Sequence, residues 1–235
     1  ETSIVYSLAS GLATGFVAGS SKVKSITDCT RVSTSMAGSA VYSATLAYKN
    51  MTNAQFNIIQ LGDPAQIVPS MLSGGSDCAV SALGILQPGL DNGMHLVIDP
   101  RNPGTIPAGT VQDTVGTGLW GLKENLQSKR NAVVKLIKAM KRVEDYIRKT
   151  PVNDVAVLLV KHNEYKGFKP DMAARQLEQE KLFWFPNSGY FPTSSWGPTI
   201  KYYQYGMTFI DPANKTYSWE SRVDMSYWIC LLYTS

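Results

Sequence analysis

Along this chain, short β-branched runs give way to apolar stripes at three- and four-residue spacing. That exchange predicts strands alternating with helices. Ser3 to Ala9 reads as a buried strand, followed by Ser10-Gly11, a second apolar stretch at Gly15 to Ala18, and a small, polar passage from Gly19 to Ser25. Arg31 to Ser35 predicts a strand, Met36 to Gly38 a tight turn, and Ser39 the opening of a helix to about Asn50. Val41, Ala44, Thr45 and Tyr48 share one face of that helix, as a buried stripe requires. Phe56 to Leu61 is the next strand; Asp63-Pro64 starts a helix that Gly74-Gly75 ends after Leu72. Asp77 to Ala82 is a strand, Ile85 to Asn92 a short helix closed by Gly93, and His95 to Ile98 a strand.

This rhythm argues for an α/β fold with mostly parallel sheets flanked by helices, in which ligands sit at the carboxyl ends of strands beside helix N-termini. The passage from Arg31 to Tyr42 is where strand, turn and helix meet. Gly38 lets the backbone approach a guest, Ser39 can cap the helix or bind that guest, and the free N–H groups of the first turn attract negative charge.

Arg101 to Gly109, rich in Pro and Gly, breaks the rhythm and reads as a crossing between lobes; Ala108 to Thr114 is polar. Beyond it the chain turns helical. Gln127 to Thr150 places Val133, Leu136, Ile137, Met140, Val143 and Ile147 on the expected packed face. Lys135, Lys138, Lys141, Arg142 and Arg148 fall mainly on the other, either a solvated face or a docking surface for a partner. Pro151 to His162 and Pro170 to Leu182 predict two further helices, Phe183 to Trp196 an aromatic and proline-rich loop, and Ser195 to Met207 a last helix before the polar turn at Asp211 to Ser218.

With 44% hydrophobic and 17% charged residues, the 235-residue chain is not a disordered one. Its net charge of +4 is spread out rather than clustered with aromatics, so nucleic-acid binding is not expected. The three cysteines, Cys29, Cys78 and Cys230, form no C-x-x-C pair and indicate neither a disulfide framework nor a zinc site. Cys78, in a predicted buried strand, reads as an inert thiol, and the redox compartment stays open. The longest apolar run, Tyr227 to Tyr233, is far short of the roughly 20 residues of a membrane helix.

Gly116-Thr117-Gly118-Leu119-Trp120-Gly121 matches the dinucleotide pattern by letter, but the stretch before it is polar and the candidate acids Glu144 and Asp145 fall inside a helix. His95 and His162 are far apart and without ligand spacing. No catalytic residue, metal ligand or cofactor is therefore expected. Of the aromatics that could wall a ligand cleft (Trp120, Trp184, Tyr190, Trp196), Trp120 is the candidate, because it sits among glycines beside the expected crossing.

The order of elements resembles a known family. Lys24 to Cys29, Arg31-Val32-Ser33 and Ala37-Gly38-Ser39 resemble the entry to the second lobe in substrate-binding proteins of ABC importers of the nitrate, sulfonate and taurine group. Ala65 to Leu72, Ser73-Gly74-Gly75 and Ser76 to Val80 are similar to that family's helix, small-residue turn and following strand, and Val133 to Pro151 to its long helix. The resemblance implies a two-lobed, type II periplasmic-binding-protein fold closing on a small, often anionic or heteroaromatic ligand. It places Ser35, Gly38, Ser39 and Ala40 on the ligand-facing turn and helix start, with Ser10 and Ser81 as further polar contributors; Cys29 stands where a leucine is expected.

It also implies a first lobe that is incomplete here: residues 1–22 as part of lobe 1, 23–105 as lobe 2 and 106–228 as the rest of lobe 1; residues 229–235 resemble translated adapter sequence and are expected to be a non-native tail. An N-terminally truncated fragment of this kind is expected to be marginally stable, with an exposed apolar sheet edge. The implied protein is a monomeric solute receptor, periplasmic or membrane-anchored outside the cytoplasm, that presents its ligand to an ABC permease. Export signals would lie outside this sequence. A thiamine-pyrimidine synthase-like enzyme on the same fold is the alternative, needing a reactive His and clustered Cys; a transcription regulator would need an upstream helix-turn-helix.

Overall fold

The computed structural model describes residues 1–107, 114–162, 169–206 and 214–230. The chain divides into two compact units: Glu1–Ala9 with Thr117–Pro192 and Ser218–Ser235, here the first unit, and Ser10–Gly116 with Thr193–Tyr217, the second. In chain order, β1 (Thr2–Ser10) leads out of the first unit. The second then carries β2 (Phe16–Gly19), β3 (Arg31–Ser35), α1 (Ala40–Thr52), β4 (Asn57–Leu61), α2 (Ile67–Leu72), β5 (Cys78–Ser81), α3 (Leu83–Leu90) and β6 (His95–Ile98). β7 (Val115–Leu122) returns to the first unit for α4 (Lys123–Ser128), α5 (Arg130–Lys149), α6 (Val152–Leu159) and α7 (Pro170–Glu180). α8 (Trp196–Gly206) lies in the second unit, α9 (Trp219–Arg222) and α10 (Ser226–Ile229) in the first.

The expected α/β class is what forms. The second unit holds a five-stranded sheet of order β4-β3-β5-β2-β6, with β3 parallel to β4 and β5, and β2 antiparallel to β5 and β6. Four strands therefore run one way and β2 the other. β2 and β5 are buried at every position, as continuous apolar runs in a helix-covered sheet should be. α1 caps as expected, Ser39 Oγ accepting from Tyr42 N at 3.1 Å, and buries Ala44, Thr45, Ala47 and Tyr48. Asp63 caps too, accepting from Ala65 N at 2.9 Å, but Pro64–Gln66 is a 3-10 turn and α2 begins only at Ile67.

The cysteine reading is corrected: Cys29 and Cys78 form a disulfide, with Cα atoms 5.9 Å apart. Their 49-residue separation hid the pair in the sequence, but the parallel register sets Val32 opposite Cys78 and so carries the segment before β3 alongside β5. Asp77 sits beside this cross-link, its carboxylate accepting from Thr30 Oγ1 at 2.6 Å, Thr30 N at 3.0 Å and Arg31 N at 2.9 Å. Burial raises the Asp77 carboxyl and these donors more than offset it, leaving it below the usual carboxylate range.

In the first unit β1 pairs with β7, and a core of Val5, Tyr6, Leu126, Ile137, Phe185 and Tyr227 forms around them. The Gly116 to Gly121 stretch is strand, not the turn of a nucleotide site. A Cβ at Gly118 would stand 2.8 Å from the Tyr6 carbonyl, so close strand packing accounts for that glycine. The long helix expected from Gln127 breaks at Lys129 into α4 and α5.

The packed face of α5 is also corrected. Ile137 and Glu144 are buried, with Val133, Val134, Met140 and Ile147 packed beside them, whereas Leu136 and Val143 are 48% and 45% exposed. Glu144 turns the helix: its carboxylate is fully enclosed and meets Lys141 Nζ at 2.7 Å, Arg148 Nε at 2.8 Å and Ser188 Oγ at 3.1 Å. Burial raises the Glu144 carboxyl, and these donors bring it net below its usual range. Ser188 belongs to a loop in which Phe185, Asn187, Ser188 and Gly189 all take positive φ.

The crossing expected at Arg101 to Gly109 passes beyond the described residues after Pro107. Most of Ala108 to Thr114, Met207, part of Asp211 to Ser218 and residues 231–235 of the expected tail also lie outside them.

Candidate ligand-binding site

Chain order decides where the second unit can bind. β3 is followed through α1 by β4 on one side, and the chain then returns through α2 to place β5 on the other. The strand order reverses between β3 and β5, and the space beyond the carboxyl ends of such a pair is where open α/β sheets bind ligands.

The residues at that edge are the ones singled out by sequence. The register Val32 to Cys78 and Ser33 to Ala79 brings Ser35 and Ser81, two steps on, to the ends of adjacent parallel strands. Each is largely enclosed, and neither hydroxyl has a hydrogen-bond partner among the described residues. Met36 to Gly38 then turns into α1. Gly38 has φ of +88° and open space where a side chain would be, so the turn needs glycine for its backbone conformation rather than for packing.

Ser39 caps through its side chain, and Ala37 N donates to Gln60 Oε1 at 2.9 Å, tying the turn to β4. The N–H groups of Ala40 and Val41 meet no acceptor among the described residues. Two amides at the start of a 13-residue helix, with two serine hydroxyls on neighbouring strand ends, form a set of donors suited to an anion's oxygens.

Ser10 approaches the same edge by another route. Its Oγ accepts from Leu12 N at 3.3 Å and caps the 3-10 turn Gly11–Thr14, which feeds β2 at Phe16, the residue opposite Ser81. Trp120, 70% exposed on β7 of the first unit, is the one candidate outside the second unit.

Sequence reasoning missed two residues here. Gln60 lies mid-strand and shows its role only once β4 pairs with β3. Arg101, read as part of a crossing, stacks its guanidinium over the Phe16 ring at 5.6 Å and pairs with Asp99 at 2.7 Å. That bond raises Arg101 above its usual range; at Asp99 burial works upward and the guanidinium more than offsets it. An Arg101–Asp99 ion pair is thus held over Phe16, at the amino end of β2.

No protein-family profile matches the chain, and no curated protein does. Solved structures do. A protein described as the periplasmic sulfonate-binding SsuA of a Methylobacillus flagellatus ABC transporter matches at TM-score 0.60 and 12% identity, over 99% of this chain and 69% of that one. The aliphatic sulphonate binding protein SsuA of Escherichia coli matches at TM-score 0.60 and 12% identity, over 86% and 63%. The zinc-bound ligand-binding component of an ABC-type import system from Staphylococcus aureus matches at 0.65 and 10%, over 97% and 73%. The chain thus spans about two thirds of each of these, and at such identities the likeness is one of fold. In fold, this chain is similar to the periplasmic substrate-binding proteins of ABC-type importers.

Proposed function

We propose that the chain is a solute-binding receptor that takes a small anionic organic ligand, sulfonate-, taurine- or nitrate-like or pyrimidine-like, and delivers it to an ABC permease outside the cytoplasm. The observation that carries this is the donor set at the switch point: the Ser35 and Ser81 hydroxyls and the Ala40 and Val41 amides, all without partners among the described residues. Gly38 keeps the approach open, and Ser39 and Ser10 shape its rim. The Cys29–Cys78 cross-link supports an oxidising compartment, and no described helix is long and apolar enough to cross a membrane. The exposed Trp120 of the first unit is left out of this site, and the receptor is proposed as a monomer.

The test is a thermal-shift screen against aliphatic sulfonates, carboxylates, nitrate, phosphate and pyrimidines. A ligand at 100 times its Kd adds about 2.7 kcal/mol of stability. One class is expected to stabilise the wild type and to lose its effect in Ser35→Ala/Ser81→Ala and in Gly38→Val. If no compound in the panel stabilises a protein that melts cooperatively, or if the variants respond like the wild type, the reading is wrong. Turnover of a pyrimidine precursor would replace it with the enzyme.

A further inference from the structure

We infer that α5 carries a docking seam for an acidic amphipathic helix of a partner protein. Leu136, Ala139, Val143 and Tyr146 fall at the alternating three- and four-residue steps of a coiled-coil seam, and Leu136, Val143 and Tyr146 are 48%, 45% and 45% exposed. They face away from the side of α5 that packs on the core through Ile137 and Glu144. Along one flank run Lys135, Arg142 and Lys149, each one heptad from the next, exposed, and without a carboxylate partner among the described residues. Lys141 and Arg148, by contrast, are occupied by Glu144.

The seam continues into a groove of about 450 Å³, where Val143 and Tyr146 of α5 meet Leu158 of α6 and Leu177 of α7, with Arg142 at its lip. This is the shape that accepts the apolar face of a helix.

The flank selects the occupant. Cations at heptad spacing beside an apolar seam pair with carboxylates flanking the partner's own stripe, and that pairing sets partner choice. A second copy does not supply them. Antiparallel α5 helices would set Lys135, Arg142 and Lys149 against their own kind, and parallel ones would set them against Met140 and Ile147, the residues of the opposite flank. The occupant is therefore a helix with Asp or Glu beside its apolar face. This inference stands apart from the ligand site, which lies in the other unit.

The test uses the full chain and two labelled synthetic peptides of about three heptads, with Leu at the seam and either Glu or Lys on both flanks. Fluorescence anisotropy is expected to show binding of the Glu peptide only. Arg142→Glu/Lys149→Glu should weaken that binding at least tenfold and confer binding of the Lys peptide, while Val143→Asp removes both and leaves the melting temperature within a few degrees of wild type. Three results would overturn the inference: neither peptide binding; equal binding unmoved by the charge reversal; or binding to vesicles of anionic phospholipid that the Glu peptide fails to displace. A dimer seen by sedimentation and abolished by Val143→Asp would assign the seam to a second copy and overturn it too.

Discussion

Gly38 and Ser39 show how much of the proposed binding edge rests on single residues. A β-branched side chain at the Gly38 φ of +88° is strained wherever there is room for it, so Gly38→Val should cost about 1–3 kcal/mol while closing the approach to the α1 amides. Ser39→Ala removes the cap on Tyr42 N and should cost about 1 kcal/mol, with a smaller loss of affinity, since the free amides beyond it remain. Urea melts of the two variants, with and without the stabilising ligand, separate these effects. Asp77 is a different kind of residue, holding structure and not ligand. Three donor groups hydrogen-bond its carboxylate, so Asp77→Ala should cost about 1.5–3 kcal/mol or more. Because its folded pKa is lowered, the stability it supplies is present above the unfolded carboxylate value and lost as pH falls through the folded one. The acid side of the wild-type pH–stability curve should therefore be steeper than that of Asp77→Ala.

At the scale of elements, β3, its turn and α1 were legible because their signals are local: a β-branched run, a glycine where φ must be positive, and a serine cap. The same holds for β5 and β6, whose apolar runs are bounded by turn residues. What the sequence could not show depends on partners distant along the chain. The disulfide needs the β3 and β5 register, Gln60 needs β4 beside β3, and the face of α5 needs the ion pairs of Glu144. α5 has apolar residues around more than one side, and periodicity alone does not choose between Leu136 with Val143 and Ile137 with Glu144.

Two expected outcomes belong at this scale. Reducing a cross-link that closes a 49-residue separation should cost the second unit about 2–4 kcal/mol, read as a lower melting temperature in dithiothreitol that Cys29→Ser/Cys78→Ser reproduces. Removing both cations from Glu144, as in Lys141→Met/Arg148→Met, leaves an enclosed carboxylate unpaired and should cost about 3–5 kcal/mol. Glu144→Gln should cost less, because Lys141 and Arg148 are 33% and 53% exposed and can turn to water. Equal losses in the two variants would mean that shape, not charge, holds α5 in place.

For the molecule as a whole, the five-stranded sheet of the second unit combines a strand-order reversal with donors at its carboxyl edge that have no partner among the described residues, and this pairing of topology with chemistry is the basis of the proposed receptor. The likeness to sulfonate-binding proteins supplies the fold, and the donor set supplies the reason to look among anions. The measurement that tests this most directly is a titration of 15N-labelled protein with the stabilising solute, following each backbone amide. The account predicts saturable shifts concentrated at Gly38 to Val41, with Ser35 and Ser81 next in size. Saturable binding that leaves these amides unmoved would contradict it.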